Sequence, residues 1–155
     1  MANRKPKGTT TQAPDFAILV VGATRLVTDR LNAAVARAGI DDMRAPFGFV
    51  IRALAEAPLE LTALAERLGV TKQAAIKVVD EMEARGFLTR EPHPTDRRAK
   101  RLTLTARGLA VRAAALAESH RMERELRAAV GDADVDAFRR VLAAFGVGAR
   151  ARPVW

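Results

Sequence analysis

Apolar side chains return every three or four residues along most of this chain, and the places where that rhythm stops mark element boundaries. Phe16, Leu19, Val20, Ala23, Val27, Leu31, Ala34 and Val35 recur at helical spacing, predicting a first helix over 15–38 that Gly39 stops. Phe47, Val50, Ile51 and Leu54 share one face of a second helix, Met43 to Ala55. Pro46 suits the first turn of that helix, where a missing N–H costs little, and Pro58 marks the break after it. Thr62 is placed to cap a short helix carrying Leu64, Ala65 and Leu68, which ends at Gly69. Thr71 then caps a helix running to Arg85, terminated by Gly86. Two helices joined by a tight, glycine-bearing turn form the helix-turn-helix pattern.

The rhythm then changes to alternation. FLTRE (87–91), a loop with two prolines, and RLTLT (101–105) predict two short strands of a β-hairpin, a wing beside the helix pair. A long helix follows from Thr105 to Val130 and, after Gly131, a last one from Asp134 to Phe145. The predicted fold is mainly α with a small β-hairpin: a winged helix-turn-helix lobe over 43–104 plus a helical region from both ends of the chain. Residues 15–146 read as one domain, with a basic tail at 1–14 that lacks periodicity and a C-terminal tail at 147–155. The end helices (15–38, 105–130 and 134–145) have too little chain between them to make a second domain. Their apolar faces call for burial against a second copy of the chain, so a homodimer is expected.

Composition sharpens this picture at two points. The chain of 155 residues carries no cysteine, which removes disulfides, thiolate zinc sites and cysteine redox sensing, and fits a reducing cytoplasm. Its formal charge of +8 favours a polyanionic partner, nucleic acid or an anionic membrane. The opening residues are polar, and apolar runs such as Phe16 to Ala23 are far too short to span a bilayer. A soluble cytoplasmic protein with an acidic, non-membrane partner is the expectation.

Candidate chemistry concentrates in the middle of the chain. In TKQAAIKVVDEMEARG, Ala75, Val78, Val79 and Met82 sit at i, i+3, i+4 and i+7 and should pack inward. Thr71, Lys72, Gln73, Ile76, Lys77 and Asp80 fall outside that face, with the hydrogen-bonding capacity in the N-terminal half. A recognition helix turns that half toward base edges in the major groove of double-stranded DNA. Gln73 has the paired donor and acceptor that suit adenine, Lys72 and Lys77 suit guanine or phosphate, and Ile76 suits a thymine methyl. An ordinary amphipathic helix with a solvated polar face would look the same in isolation. The wing tips the balance: between Arg85 and Arg101 lie Arg85, Arg90, Arg97, Arg98, Lys100 and Arg101 against only Glu91 and Asp96. Arginine at a hairpin tip suits the narrow minor groove, and Asp96 is placed to hold an arginine through a charge-assisted bond.

The segment LTALAERLGVTKQAAIKVVDEMEARGFLTREPHPTDRRAKRLTLTARG resembles the central part of MarR-type regulators. Most diagnostic is DRRAKRLTLTARG: Asp, any residue, Arg, then a Leu-Thr pair and a Gly entering the next helix. The resemblance covers about a third of the chain, and the flanking helices agree in order and length. It implies a symmetric dimer held by the first and last two helices, bound to a pseudo-palindromic operator and usually repressing. It further implies Thr71, Lys72, Gln73 and Lys77 at groove-facing positions, Arg98 in the minor groove with Asp96 supporting it, and Arg97 and Lys100 on phosphates. Ile76 departs from the family, in which a small polar residue is more common there.

The family commonly binds small aromatic or phenolic ligands between the dimer helices and the DNA-binding lobe. Phe16, Leu19, Arg25, Arg44, Phe47 and His120 are the candidates to line such a cleft, each with core packing or surface charge as its competing role. His93 and His120, from different elements and without cysteine, make a poor zinc set, so neither a metal nor another cofactor is expected. The chain shows no glycine-rich phosphate loop and no nucleophile elbow, which argues against an enzyme. The stronger competitor is a winged helix used without sequence specificity, as an architectural or protein-docking module.

Overall fold

Side-chain caps open three of the helices in the computed structural model, which describes residues 15–93, 95 and 99–145. Asp15 accepts from the Ala17 N–H at 2.8 Å and opens α1 (Phe16–Arg37). Thr71 accepts from the Ala74 N–H at 3.2 Å and opens α4 (Lys72–Ala84), and Thr105 does the same for α5 (Ala106–Val130) through Gly108. Between them lie α2 (Ala45–Leu54), β1 (Leu59–Glu60), α3 (Leu61–Leu68), β2 (Leu88–Pro92) and β3 (Lys100–Leu104), and α6 (Asp132–Ala144) closes the order.

Three helix starts and one added strand depart from the sequence reading. Thr62 is not a cap: α3 begins at Leu61, Glu60 is its N-cap residue in extended backbone, and no side chain caps it. The cause is β1, whose pairing with β3 (Leu59 with Leu102, Glu60 with Arg101) delivers the chain straight from strand into helix. That strand was missed because two residues carry no readable alternation. Helix α2 starts at Ala45 and not Met43. A start at Met43 would put Pro46 where its absent N–H should bond the Asp42 carbonyl, so the helix begins later and keeps Pro46 in the first turn. Helix α6 starts two residues earlier than expected, because Gly131 (φ 89°) both ends α5 and leads into it. Asp132 and Asp134 then sit in its first turn, where the helix dipole favours negative charge.

The sheet runs β1-β3-β2, antiparallel throughout, with Leu88 opposite Leu104 and Pro92 opposite Lys100. One core joins α2, α3, α4, the sheet and the start of α5: Phe47, Val50, Leu64, Val79, Met82, Phe87, Leu88 and Leu102 are fully enclosed. Phe47 and Phe87 meet edge to face with ring centroids 5.6 Å apart. Burying each large apolar side chain is worth about 1.5–3 kcal/mol, so this lobe holds itself together. Gly108 has a separate packing role. A Cβ at that position would overlap the main-chain oxygen of Phe87, so only glycine lets α5 dock this closely.

The end helices are held differently. Glu118, buried on α5, lies among three arginines: Arg30 Nε donates to it at 2.8 Å, Arg37 Nη2 at 3.4 Å, and Arg121 Nε stands 3.7 Å away. Arg30 also reaches Glu125 at 2.6 Å, so α1 is clasped to α5 by charge. Arg127 ties α5 to α6 through Asp132 and Asp136 while holding Glu123 on its own helix. Much of the apolar surface here stays open in the single chain. Phe16, Ile18, Leu19, Val21 and Leu26 on α1, and Phe138 and Phe145 near α6, are all half or more exposed.

Candidate nucleic-acid interface

The helix pair is built by its turn. Gly69, in left-handed backbone at φ 67°, ends α3, and the Val70 N–H returns to the Ala65 carbonyl at 3.0 Å. The chain then enters α4 with Ala75, Val79 and Met82 buried and Val78 packed against the core, as the periodicity required. Thr71, Lys72, Gln73 and Lys77 are exposed together on the N-terminal half of the helix, while Ile76 is half-buried between them. The sequence therefore located a coherent polar face, with Ile76 spending part of its surface on packing.

The other half of α4 is acidic, and each of its carboxylates is matched by an arginine. Arg90 on β2 binds both Asp80 and Glu83, and the Arg90 N–H of the main chain also donates to Glu83 at 3.2 Å. Burial by itself would lower the Arg90 pKa, but the hydrogen bonds and charge of Asp80 and Glu83 outweigh it and raise it above the ordinary value. Glu81 is met by Arg44 Nε and Arg85 Nη2, each at 2.9 Å. The helix thus presents cations at one end and a neutralised surface at the other.

These pairs revise the charge count of the wing. Arg85 and Arg90 are occupied inside the fold, and Arg101 Nε lies 3.9 Å from Glu91. Lys100 is exposed at the start of β3, opposite Pro92. Asp96, Arg97 and Arg98, the residues expected in the minor groove and on phosphate, lie outside the described residues. A shallow cleft of about 330 Å³ brings Lys72 of α4 and Lys100 of β3 onto one lining, together with Thr62, Arg90 and Glu60. Sequence reasoning missed that convergence, since nothing in the spacing shows that β3 passes the start of α4.

The six residues expected to line a ligand cleft have separate surroundings. Phe47 is fully buried against Phe87, and so serves the core of the winged lobe. Phe16 is exposed and stacks on Phe145 at 6.3 Å, Leu19 is exposed on α1, and Arg25 pairs with Asp29 on the same helix. Arg44 is engaged with Glu81, and His120 is exposed on α5. Among the described residues no group of three or more His, Cys, Asp or Glu is arranged to hold a metal ion. No described helix is long and apolar enough to cross a membrane.

Comparison with known proteins agrees with this geometry. The sequence pattern of the MarR family matches residues 49–99, from α2 to the wing. The transcriptional regulator HosA of Escherichia coli O111:H- is 37% identical over 78 residues, a match spanning 50% of this chain and 58% of that protein. The crystal structure of RV1404 from Mycobacterium tuberculosis superimposes with a TM-score of 0.70 at 24% identity, covering 89% of this chain and 97% of the other. The transcriptional repressor CouR bound to a 23-mer DNA duplex superimposes with a TM-score of 0.65 at 28% identity, covering 85% and 92%. CouR from Rhodococcus jostii RHA1 has also been solved with p-coumaroyl-CoA, and that structure matches with a TM-score of 0.64 at 24% identity over 86% of this chain and 93% of its own.

Proposed function

We propose that this chain, whose residues 49–99 match the MarR family pattern, is a transcriptional regulator that binds a pseudo-palindromic operator as a homodimer and represses from it. Each subunit would place the N-terminal half of α4 in the major groove, with the two half-sites about one helical turn apart. The observation that carries this reading is the polarity of α4. Lys72, Gln73 and Lys77 stand exposed at one end, while Asp80, Glu81 and Glu83 are each neutralised by an arginine from outside the DNA-facing half. A merely solvated helix has no need to cancel its acidic end. Gln73 then reads a base, Lys72, Lys77 and Lys100 meet base edges or phosphate, and Arg97 and Arg98 extend the contact from the wing.

The dimer would be built from the exposed apolar residues of α1, α5 and α6, among them Leu19, Val27, Leu126, Val130, Phe138 and Val141. A helix apolar on all sides, as the first turns of α1 are, belongs inside a packed bundle. A small aromatic or phenolic effector would act by favouring a dimer whose recognition helices are wrongly spaced. The CouR complex with p-coumaroyl-CoA supports that part by likeness of fold alone. Phe16, Leu19, Arg25, Arg44 and His120 remain exposed and available to such a site once two subunits meet.

Fluorescence anisotropy with the duplex upstream of the protein's own gene, against a scrambled duplex and at several salt concentrations, tests the reading. A specific regulator binds its operator ~10³-fold or more tighter than the scrambled duplex, with two subunits per site. Equal and steeply salt-dependent binding to both would instead establish a non-specific architectural module.

A further inference from the structure

Asp42 lies in the loop between α1 and α2 and joins two elements that do not follow one another in sequence. Its Oδ1 accepts from Arg107 Nη2, in the first turn of α5, at 2.6 Å. Its Oδ2 is 3.6 Å from Nη1 of Arg85, the residue that ends α4, and the same nitrogen donates to the Asp42 main-chain oxygen at 3.4 Å. Arg85 in turn holds Glu81 on α4, which Arg44 grips from the start of α2. Beneath this network the Arg107 guanidinium sits 4.7 Å from the centroid of the Phe87 ring, and Arg85 5.9 Å from that of Phe47. The groups around Asp42 are therefore two cations, one from the end of α4 and one from the start of α5, with Glu81 and Arg44 behind them.

Resting on the regulator reading above, we propose that Asp42 is a positioning residue for operator recognition, setting the angle between α4 and α5. Without its charge Arg107 loses its carboxylate, Arg85 keeps only Glu81 on its own helix, and the tie between the end of α4 and the start of α5 is released. The effect grows with distance: α4 extends ~18 Å from this anchor to its DNA-facing end, so a tilt of ~5° moves Lys72 and Gln73 by roughly 1.5 Å. That displacement spoils base contacts while leaving diffuse attraction to phosphate intact.

Electrostatics alone makes the opposite forecast, which gives the test its power. Removing Asp42 adds one positive charge per subunit and should tighten binding to any duplex. The wild type is first used to enrich a sequence from a randomised duplex pool; that duplex and its scrambled version are then titrated with each variant. For Asp42→Asn we expect the ratio of the two affinities to fall about tenfold, with scrambled duplex bound as well as before or better. Asp42→Glu should recover part of the ratio. Arg107→Gln should lower it similarly, and the Asp42→Asn/Arg107→Gln double variant should be no worse than the single ones. Should Asp42→Asn fail to fold by circular dichroism, Arg107→Gln removes the same contact from its more exposed side and carries the same expectation. Unchanged selectivity in a folded variant overturns the proposal and leaves the regulator reading standing. A wild type that enriches no sequence overturns both.

Discussion

Replacing Gly108 with alanine adds one methyl group where the long helix α5 meets the winged lobe, and the consequence can be worked from its neighbours. The new Cβ would overlap the Phe87 main-chain oxygen and stand 3.1 Å from Leu104 Cδ2. The oxygen cannot retreat, because it accepts from the Thr105 N–H at 3.1 Å and belongs to a fully buried residue packed on Phe47. Helix α5 must lift instead, straining the Thr105 cap and the Arg107 contact to Asp42. Overpacking of this kind costs about 1–3 kcal/mol. Alanine's helix propensity returns at most ~1 kcal/mol; because the overlap is with main chain that cannot yield, the cost falls at the upper end and a net loss of about 2 kcal/mol is expected. Gly48→Ala is the matched control. It sits in α2 with open space around it and should stabilise by about 0.5–1 kcal/mol. Urea unfolding followed by circular dichroism, at one fixed subunit concentration, should move the two midpoints in opposite directions by roughly half a molar each. If Gly108→Ala were as stable as the wild type, the close approach of α5 to Phe87 would be wrong.

Four further outcomes follow from the same contacts. Gln73→Ala should relax preference at one base pair by about 1–3 kcal/mol, read from anisotropy with single-site operator variants; unchanged preference at every position would remove Gln73 from the contact. Lys72→Gln and Lys100→Gln should each reduce the slope of log affinity against log salt by about one per subunit while weakening all sequences alike. Glu118→Gln should lower the urea midpoint more than Glu125→Gln, because Glu118 is buried among Arg30, Arg37 and Arg121 whereas Glu125 is exposed. The clasp should also fail in acid. Hydrogen bonds from Arg127 and Arg30 hold the Glu123 and Glu125 carboxyls below the ordinary value, so their contribution is complete above about pH 4.3 and is lost as pH falls further. Midpoints measured between pH 3 and 7 should therefore be flat at the upper end and drop at the lower.

Much of this architecture was legible because local signals and tertiary demands coincide. Thr71, Gly69 and Gly86 mark the helix pair through caps and turns that act within four residues, and each sits where the periodicity placed it. Thr62 misled for a non-local reason: a cap residue two positions before an apolar pair is a good signal until a strand from elsewhere dictates how the chain arrives. The roles of Asp42, Arg44 and Arg90 were invisible for the same reason. Each acts on α4 from another element, and charge spacing along a sequence cannot show which helix a side chain will cross. Phe47 shows the limit of composition, since a phenylalanine suited to a ligand cleft is equally suited to a core, and only the fold shows it buried opposite Phe87.

The division of labour between the two basic side chains completes the argument from charge. Arg30, Arg37, Arg44, Arg90, Arg107 and Arg127 each bind a carboxylate on a different element, using the planar fork that suits paired hydrogen bonds. Lys72, Lys77 and Lys100 form no ion pair among the described residues, and all three lie on α4 or β3. Lysine keeps a compact, hydrated charge on a flexible stem, which suits a phosphate that arrives from solution. On the proposed reading, the formal +8 of the chain is therefore a poor measure of the charge a duplex would meet. Much of the arginine holds the helices in register, and on the proposed reading the attraction would come from Lys72, Lys77 and Lys100, whose positions that register sets, together with Arg97 and Arg98.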